Sequence, residues 1–165
     1  MKYLKNLIYI LAILLICTGC PYKSLVPISA HGDLVNQDLL GKWKKAEEEE
    51  VYYIIEKSSD RKYKIVENAY NPEEDAFEIT LYEGTLNNLD GEIFLCVFNS
   101  SAEEDEEYYL HKIEITDKDN FVLFPLSNYI REEFETSEAL QEFILKNKHL
   151  SFFFGTEEGF VRSEM

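Results

Sequence analysis

Short alternations of apolar and polar residues follow one another from Gly41 to Pro125, and they are the main structural signal of this chain. Successive side chains of a strand point to opposite faces, so such alternation indicates strands with one buried face. The pattern is clearest at residues 63–66, 77–81 and 110–115. It predicts strands at 42–46, 51–57, 62–68, 76–86, 92–99, 106–116 and 120–126.

Three connections between these strands are short and rich in Ser, Asn, Asp and Gly. They lie at residues 58–61, 87–91 and 117–119. These residue types favour tight turns, and Asn, Asp and Gly tolerate a positive φ, so each connection indicates a hairpin between neighbouring strands. The sequence therefore predicts an antiparallel meander.

The apolar period changes after Pro125. Residues at helical spacing predict two short helices within 127–149, and the segments 150–154 and 159–162 then predict a final hairpin. The fold class is mainly β, of the α+β type: an antiparallel meander sheet or a barrel, with the two helices inserted before the last strands. One β-rich globular domain over residues 38–165 fits the usual domain size.

An apolar run precedes all of these elements. It extends over eleven residues, from Leu7 to Cys17, and follows the positively charged Lys2 and Lys5. A helix that spans a bilayer needs about 20 apolar residues, whereas a signal peptide needs roughly 7 to 15. The run predicts a signal peptide at residues 1–19, cleaved between Gly19 and Cys20.

The cleavage junction Cys17-Thr18-Gly19-Cys20 resembles the lipobox of bacterial lipoproteins, although Cys17 occupies a position where that motif usually has Leu. The resemblance implies lipid attachment at Cys20, a lipid-anchored tether over residues 20–37, and a place in the bacterial cell envelope, which we expect to be the outer membrane. Two or more acyl chains hold a protein at a membrane for long periods. An ordinary secretory signal and an uncleaved anchor helix are the alternatives.

The charge balance is strongly acidic. The whole chain has 16 basic and 32 acidic residues, and removal of residues 1–19 leaves 14 against 32, a net charge of −18. Nucleic-acid binding depends on positive side chains that meet phosphates, and anionic lipid also attracts basic segments. We therefore expect no nucleic-acid partner and no membrane contact other than the lipid on Cys20.

The acidic residues are clustered in three runs, at 47–50, 73–75 and 103–107. Such runs between apolar segments are typical of solvated loops, and none has the spacing of a calcium-binding loop. Three acidic loops at one end of a sheet would offer a cation site, which is the alternative. We expect no metal ion and no cofactor.

Candidate catalytic side chains are isolated. His31, His111 and His149 have no second histidine or cysteine at ligand spacing, and we expect His111 to be a half-buried surface residue of a strand. Cys96 lies in the apolar run 93–98, as a small buried hydrophobe would. The sequence contains no nucleophile elbow and no glycine-rich phosphate loop, so we predict that the protein is not an enzyme.

Gly41-Lys42-Trp43 opens the first predicted strand, and here the chain resembles lipocalin-like proteins, whose first barrel strand begins with Gly-x-Trp. The resemblance implies that Trp43 closes one end of a barrel and that the other end is a cup for a small hydrophobic ligand. The chain is also similar to small lipoproteins of the Bacteroidetes type, through Cys20-Pro21-Tyr22 and Leu40-Gly41-x-Trp43. That similarity implies no particular activity.

Two functions follow from these patterns. The first is a non-catalytic interaction domain that docks an envelope partner through an outer sheet face or edge. The second is a lipocalin-like carrier of a small hydrophobic ligand. The adjacent pairs Tyr52-Tyr53 and Tyr108-Tyr109 serve either function, because one tyrosine of each pair must point to each face of its strand.

The lipid anchor is directly testable. Radiolabelled fatty acid should enter the protein during growth of the host, and Cys20→Ala should abolish the labelling because it removes the acylated thiol. Label that persists in the Cys20→Ala protein would contradict the assignment.

Overall fold

The computed structural model describes residues 21–46, 48, 50–102 and 107–164. The predicted signal peptide, its cleavage site at Gly19 and Cys20, and the lipid attachment at Cys20 lie outside the described residues. The same holds for Glu47, Glu49 and residues 103–106 of the acidic runs.

The described residues contain nine strands and one α-helix. All seven predicted strands are present, and 51–57 and 92–99 have the predicted bounds. The elements are β1 (Lys23–Ser24), β2 (Gly41–Lys45), β3 (Val51–Lys57), β4 (Tyr63–Asn71), β5 (Ala76–Leu89), β6 (Glu92–Asn99), β7 (Tyr108–Asp117), β8 (Asn120–Pro125), α1 (Ser137–Asn147) and β9 (Glu158–Arg162).

Strands β2 to β9 close into an eight-stranded antiparallel barrel of the lipocalin-like kind. β2 to β8 follow one another as a meander, and β9 lies between β2 and β8. Strand β1 is an extra strand, which pairs with the start of β7 through Lys23 opposite Tyr109. Of the two predicted architectures, the closed barrel is therefore the one that forms.

The three predicted hairpin turns are confirmed. Residues 58–62 join β3 to β4, and two residues join β7 to β8, where Asp117 pairs with Asn120. Two residues also join β5 to β6, where Leu89 pairs with Glu92. The two residues between them, Asp90 and Gly91, have φ values of 56° and 85°. A two-residue hairpin with positive φ at both positions matches the twist of the strands, which is why Asp-Gly is found there.

One end of the barrel is closed by Trp43, which is 1% exposed. Its indole nitrogen donates to the Leu39 carbonyl at 2.8 Å, in the 3-10 helix Gln37–Leu39 that precedes β2. The Arg162 guanidinium lies over the indole, 4.3 Å from the ring centre, and donates to the carbonyls of Leu40, Asp38 and Lys118. Arg162 thus connects β9 to the segment before β2 and to the turn between β7 and β8.

Gly41 is required at this closed end. Its φ is 131°, and a Cβ there would lie 2.5 Å from Nη1 of Arg162. Any other residue would be strained and would displace the guanidinium from Trp43.

Helix α1 packs on the outside of the barrel and forms a second core there. The Thr136 hydroxyl caps the helix by accepting from the Ala139 N–H at 3.2 Å, and Leu140 and Ile144 are fully buried. They belong to a cluster with outward-facing residues of β6 and β7 and with the segments around the helix: Ile28, Phe94, Cys96, Leu110, Leu126, Ile130 and Phe153.

The prediction of two helices was wrong, because only α1 forms. Residues 127–134 form no helix, although they contain one turn in which the Ile130 N–H donates to the Ser127 carbonyl at 3.1 Å. The backbone at the start of this region bonds to other segments. The Leu126 N–H donates to Leu110, and the Ser127 N–H donates to Phe153, both at 2.9 Å. The side chains of Leu126 and Ile130 are nevertheless buried. The helical spacing of these apolar residues therefore reflects their burial by an irregular segment.

The predicted final hairpin was also wrong. Residues 150–154 form only a single bridge, between Phe154 and Leu126, whereas β9 pairs with β2 and β8. Phe153 and Phe154 are drawn into the second core beside α1, so this stretch is unavailable to pair with β9.

The segment before β2 packs against the barrel. Ile28 is completely buried and Tyr22 nearly so, whereas Leu25 is exposed. The Ile28 carbonyl accepts from the Gln141 amide at 2.6 Å, and the Pro27 carbonyl accepts from the Ser137 hydroxyl at 2.7 Å. These bonds hold residues 21–28 against α1.

Candidate functional site

The barrel interior contains a cavity of about 200 Å³. It forms because side chains of alternating positions point inward, and an eight-stranded barrel is wide enough to hold a small ligand. Its lining is apolar except for a few polar groups. The lining residues are Lys45, Tyr53, Ile55, Ile65, Glu67, Tyr82, Leu95, Val97, Tyr109, His111, Phe121, Leu123, Glu158 and Phe160.

The cavity opens at the end opposite Trp43. In a meander, the connections β2–β3, β4–β5 and β6–β7 lie at one end, and Lys45 at the end of β2 lines the cavity there. The described residues of the three acidic runs belong to these same connections: Glu48, Glu50, residues 73–75 and Glu107. Among the described residues, no three His, Cys, Asp or Glu side chains are grouped as a metal site would require. At the mouth, the described carboxylates beside Lys45 are Glu48 and Glu158.

Glu67 projects into the cavity from β4. Its Oε1 accepts a hydrogen bond from the Tyr53 hydroxyl at 2.9 Å, and its Oε2 accepts one from the Tyr82 hydroxyl at 3.0 Å. Burial raises the pKa of both tyrosines, and the charge of Glu67 raises it further. Both hydroxyls therefore keep their protons and act as donors to the carboxylate.

Lys45 lies at the mouth and is already paired. Its Nζ is 3.2 Å from Glu158 and 3.4 Å from Glu48. Burial acts to lower the pKa of Lys45, but the two carboxylates outweigh it, so the pKa is raised overall. Lys45 remains protonated, with its charge compensated by its own neighbours.

His111 is half-buried, as predicted, and its side chain lines the cavity. It lies between Tyr109 and Ile113 on the inner face of β7. Its Nδ1 is buried and has no hydrogen-bond partner among the residues described. Burial lowers the pKa of His111 to about 4, with a further contribution from the charge of Lys45. The imidazole is therefore neutral at physiological pH.

A wider hollow adjoins the mouth on the outer surface. Its volume is about 730 Å³, and His111 and Glu158 line both it and the barrel cavity. Tyr129 and Phe152 stand in this hollow with exposures of 74% and 58%. A ligand longer than the barrel cavity has an apolar surface to follow outside it.

No protein-family model, no curated protein and no solved structure matches this chain. The candidate site therefore rests on the geometry of the barrel itself.

The other residues considered in the sequence lie away from the cavity. Cys96 is buried in the second core, where burial raises the pKa of its thiol to about 11, as suits a small hydrophobe. His31 and His149 are exposed. Within the parts of the chain that the structure describes, no helix is both long enough and apolar enough to cross a membrane.

Sequence reasoning missed the grouping of Glu67 with Tyr53 and Tyr82. The sequence did contain a signal that the Glu67 side chain points inward. Glu67 continues the alternation Tyr63-x-Ile65-x-Glu67 and therefore lies on the inner face of β4. For the adjacent tyrosines, the prediction that each pair divides between the faces is confirmed. Tyr53 and Tyr109 line the cavity, and Tyr52 and Tyr108 lie on the other face.

His111 makes the stability of the fold depend on pH. An unfolded histidine has a pKa of about 6.5, so the unfolded chain binds the proton more readily than the folded one between pH 6.5 and about 4. Stability should therefore fall as the pH drops through this window. Urea unfolding at pH 7.5 and pH 5 measures the free energy of unfolding at each pH. Between these pH values, the wild type should lose up to about 2 kcal/mol more of this free energy than His111→Gln does.

The exposed His149 provides the control, because His149→Gln should follow the wild type at both pH values. An identical pH dependence in the wild type and His111→Gln would contradict the assigned environment of His111.

Proposed function

We propose that this protein is a lipocalin-like binding protein that carries a small hydrophobic ligand inside its barrel. The observation that supports this most strongly is the cavity, whose walls are mostly apolar and whose polar groups gather towards the open end. Small-molecule sites have this composition: apolar walls give affinity, and a few placed polar groups fix orientation.

The size of the cavity limits the ligand. At about 200 Å³ it is smaller than the 300–1,000 Å³ typical of sites for drug-sized molecules. The ligand is therefore a small molecule, or a longer one whose end extends into the outer hollow. Each methylene that leaves water for the cavity contributes about 0.8 kcal/mol, whereas micromolar binding corresponds to about −8.2 kcal/mol. A ligand short enough for this cavity therefore reaches micromolar affinity only if the polar groups of the site contribute as well.

The proposal includes the lipid anchor on Cys20, which would keep the carrier at a membrane of the bacterial cell envelope. Lipid attachment suits the acidic chain, because its net charge of −18 after removal of residues 1–19 would repel anionic lipid. A carrier held there meets hydrophobic molecules where they concentrate.

Docking of an envelope partner is a second candidate function, and the outer face of β5 supports it. Phe77, Ile79 and Leu81 form an exposed row there. Strand β6 ends opposite Tyr82, so among the described residues 76–80 have no strand partner on that side. An open edge with apolar side chains accepts a strand from another protein. We favour the carrier function over the docking function because the cavity would enclose a ligand within the barrel.

Occupation of the barrel can be tested with an uncharged fluorescent probe, N-phenyl-1-naphthylamine. We expect the probe to brighten and shift to the blue on binding to the purified protein. Val97 lines the cavity, so Val97→Phe should fill the site and weaken binding by about tenfold or more.

The control is Val161→Phe, which adds the same bulk on the outward-facing, 40% exposed side of β9. It should leave probe binding unchanged. The carrier function would be contradicted if no probe binds, or if both variants bind the probe as the wild type does.

A further inference from the structure

Among the described residues, Glu67 has no positively charged partner. Its two oxygens are each bonded to a neutral tyrosine hydroxyl, and no Lys, Arg or His of the described residues forms an ion pair with it. Other carboxylates near the barrel differ in this respect, since Glu158 pairs with Lys45 and Glu83 pairs with Lys62. Glu67 therefore brings an uncompensated negative charge into an apolar cavity.

An uncompensated carboxylate in such a place is costly. Removing a charge from water is unfavourable unless the charge is paired and hydrogen-bonded, and two neutral hydroxyls supply only the hydrogen bonds. A carboxylate has about four acceptor sites, so Glu67 can still accept bonds from a ligand. The missing component is a cation that donates hydrogen bonds.

The surroundings of Glu67 also favour a cation. Tyr53, Tyr82, Tyr109 and Phe160 line the same cavity, and aromatic faces attract cations. At the mouth, the two carboxylates of Glu48 and Glu158 lie beside the single ammonium of Lys45, and the net negative charge attracts cations and repels anions. An anionic ligand finds little to bind, because Lys45 is the one lysine or arginine of the described lining and is already paired with two carboxylates.

His111 is a second polar residue in the same cavity. The buried Nδ1 of His111 lacks a hydrogen-bond partner among the described residues. It lies on β7, next to Tyr109 on the inner face, whereas Glu67 lies on β4. The described residues thus leave the buried Nδ1 of His111 without a hydrogen-bond partner and the Glu67 carboxylate without an ion-pair partner. Of these two groups, only Glu67 carries a charge.

From this arrangement we infer that the ligand is a small apolar amine, with a protonated amino group bound by the Glu67 carboxylate between Tyr53 and Tyr82. Its apolar body packs against the side chains that line the barrel interior, among them Ile55, Ile65 and Leu95. This inference rests on the proposed carrier function and names the chemical class of its ligand.

Three probes of nearly equal size separate the charge states: 2-phenylethylamine is a cation, 2-phenylethanol is neutral and 3-phenylpropanoate is an anion. Isothermal titration of the purified protein should give the amine about tenfold or more higher affinity than the alcohol. Both probes can donate a hydrogen bond to the Glu67 carboxylate, but only the ammonium adds an opposite charge, which strengthens that bond. The anion should bind more weakly than the alcohol.

Glu67→Gln should remove this preference. We expect the variant to lose about tenfold or more in affinity for the amine and to change less than about threefold for the alcohol. Glu83→Gln is the matched control, because Glu83 lies on the neighbouring strand, faces outward and pairs with Lys62 at 2.8 Å. It should bind all three probes as the wild type does. Retained binding of N-phenyl-1-naphthylamine shows that each variant is folded.

The inference is overturned if the wild type binds the alcohol as tightly as the amine, or if Glu67→Gln weakens both equally. Either result, together with N-phenyl-1-naphthylamine binding that Val97→Phe blocks, would leave the carrier function standing and reject only the amine. Absence of binding by all four probes would reject both.

Discussion

Strand β9 lies between β2 and β8, and the rest of the structure depends on this closure. Without it the meander would have two free edges, and its inner face would be open to water. Phe160 of β9 points inward and stacks on Phe121 with ring centres 4.7 Å apart, and Arg162 at its end covers Trp43. The same five-residue strand, Glu158–Arg162, therefore closes the barrel wall and covers the end at Trp43.

The closed wall has two apolar faces, and they serve different purposes. Inward residues form one core around Trp43 and continue towards the mouth as the cavity walls. Outward residues of β6 and β7, such as Phe94 and Leu110, form the other core with α1. Because α1 supports the wall from outside, the interior need not be completely filled with side chains. Polar groups then concentrate towards the mouth, where Glu67, Lys45 and His111 lie.

Much of the barrel could be predicted from the sequence, because alternation and short turns are local signals that report strands and hairpins. The region after Pro125 could not, since Leu126 and Ile130 are spaced as in a helix although they are buried by an irregular segment. The long-range pairing of β9 with β2 has no local signal. At the site, the alternation of β4 contained a signal that Glu67 faces inward, which sequence analysis did not use. The absence of an ion-pair partner among the described residues depends on side chains of several strands and appears only in three dimensions.

Binding inside the barrel and binding on its outer surface would place a small molecule next to different methyl groups. Intermolecular nuclear Overhauser effects between 2-phenylethylamine and the protein distinguish the two positions. We expect effects to Ile55, Ile65 and Leu95, which line the cavity. Effects confined to the outward-facing Ile79, Leu81 and Val161 would contradict binding inside the barrel.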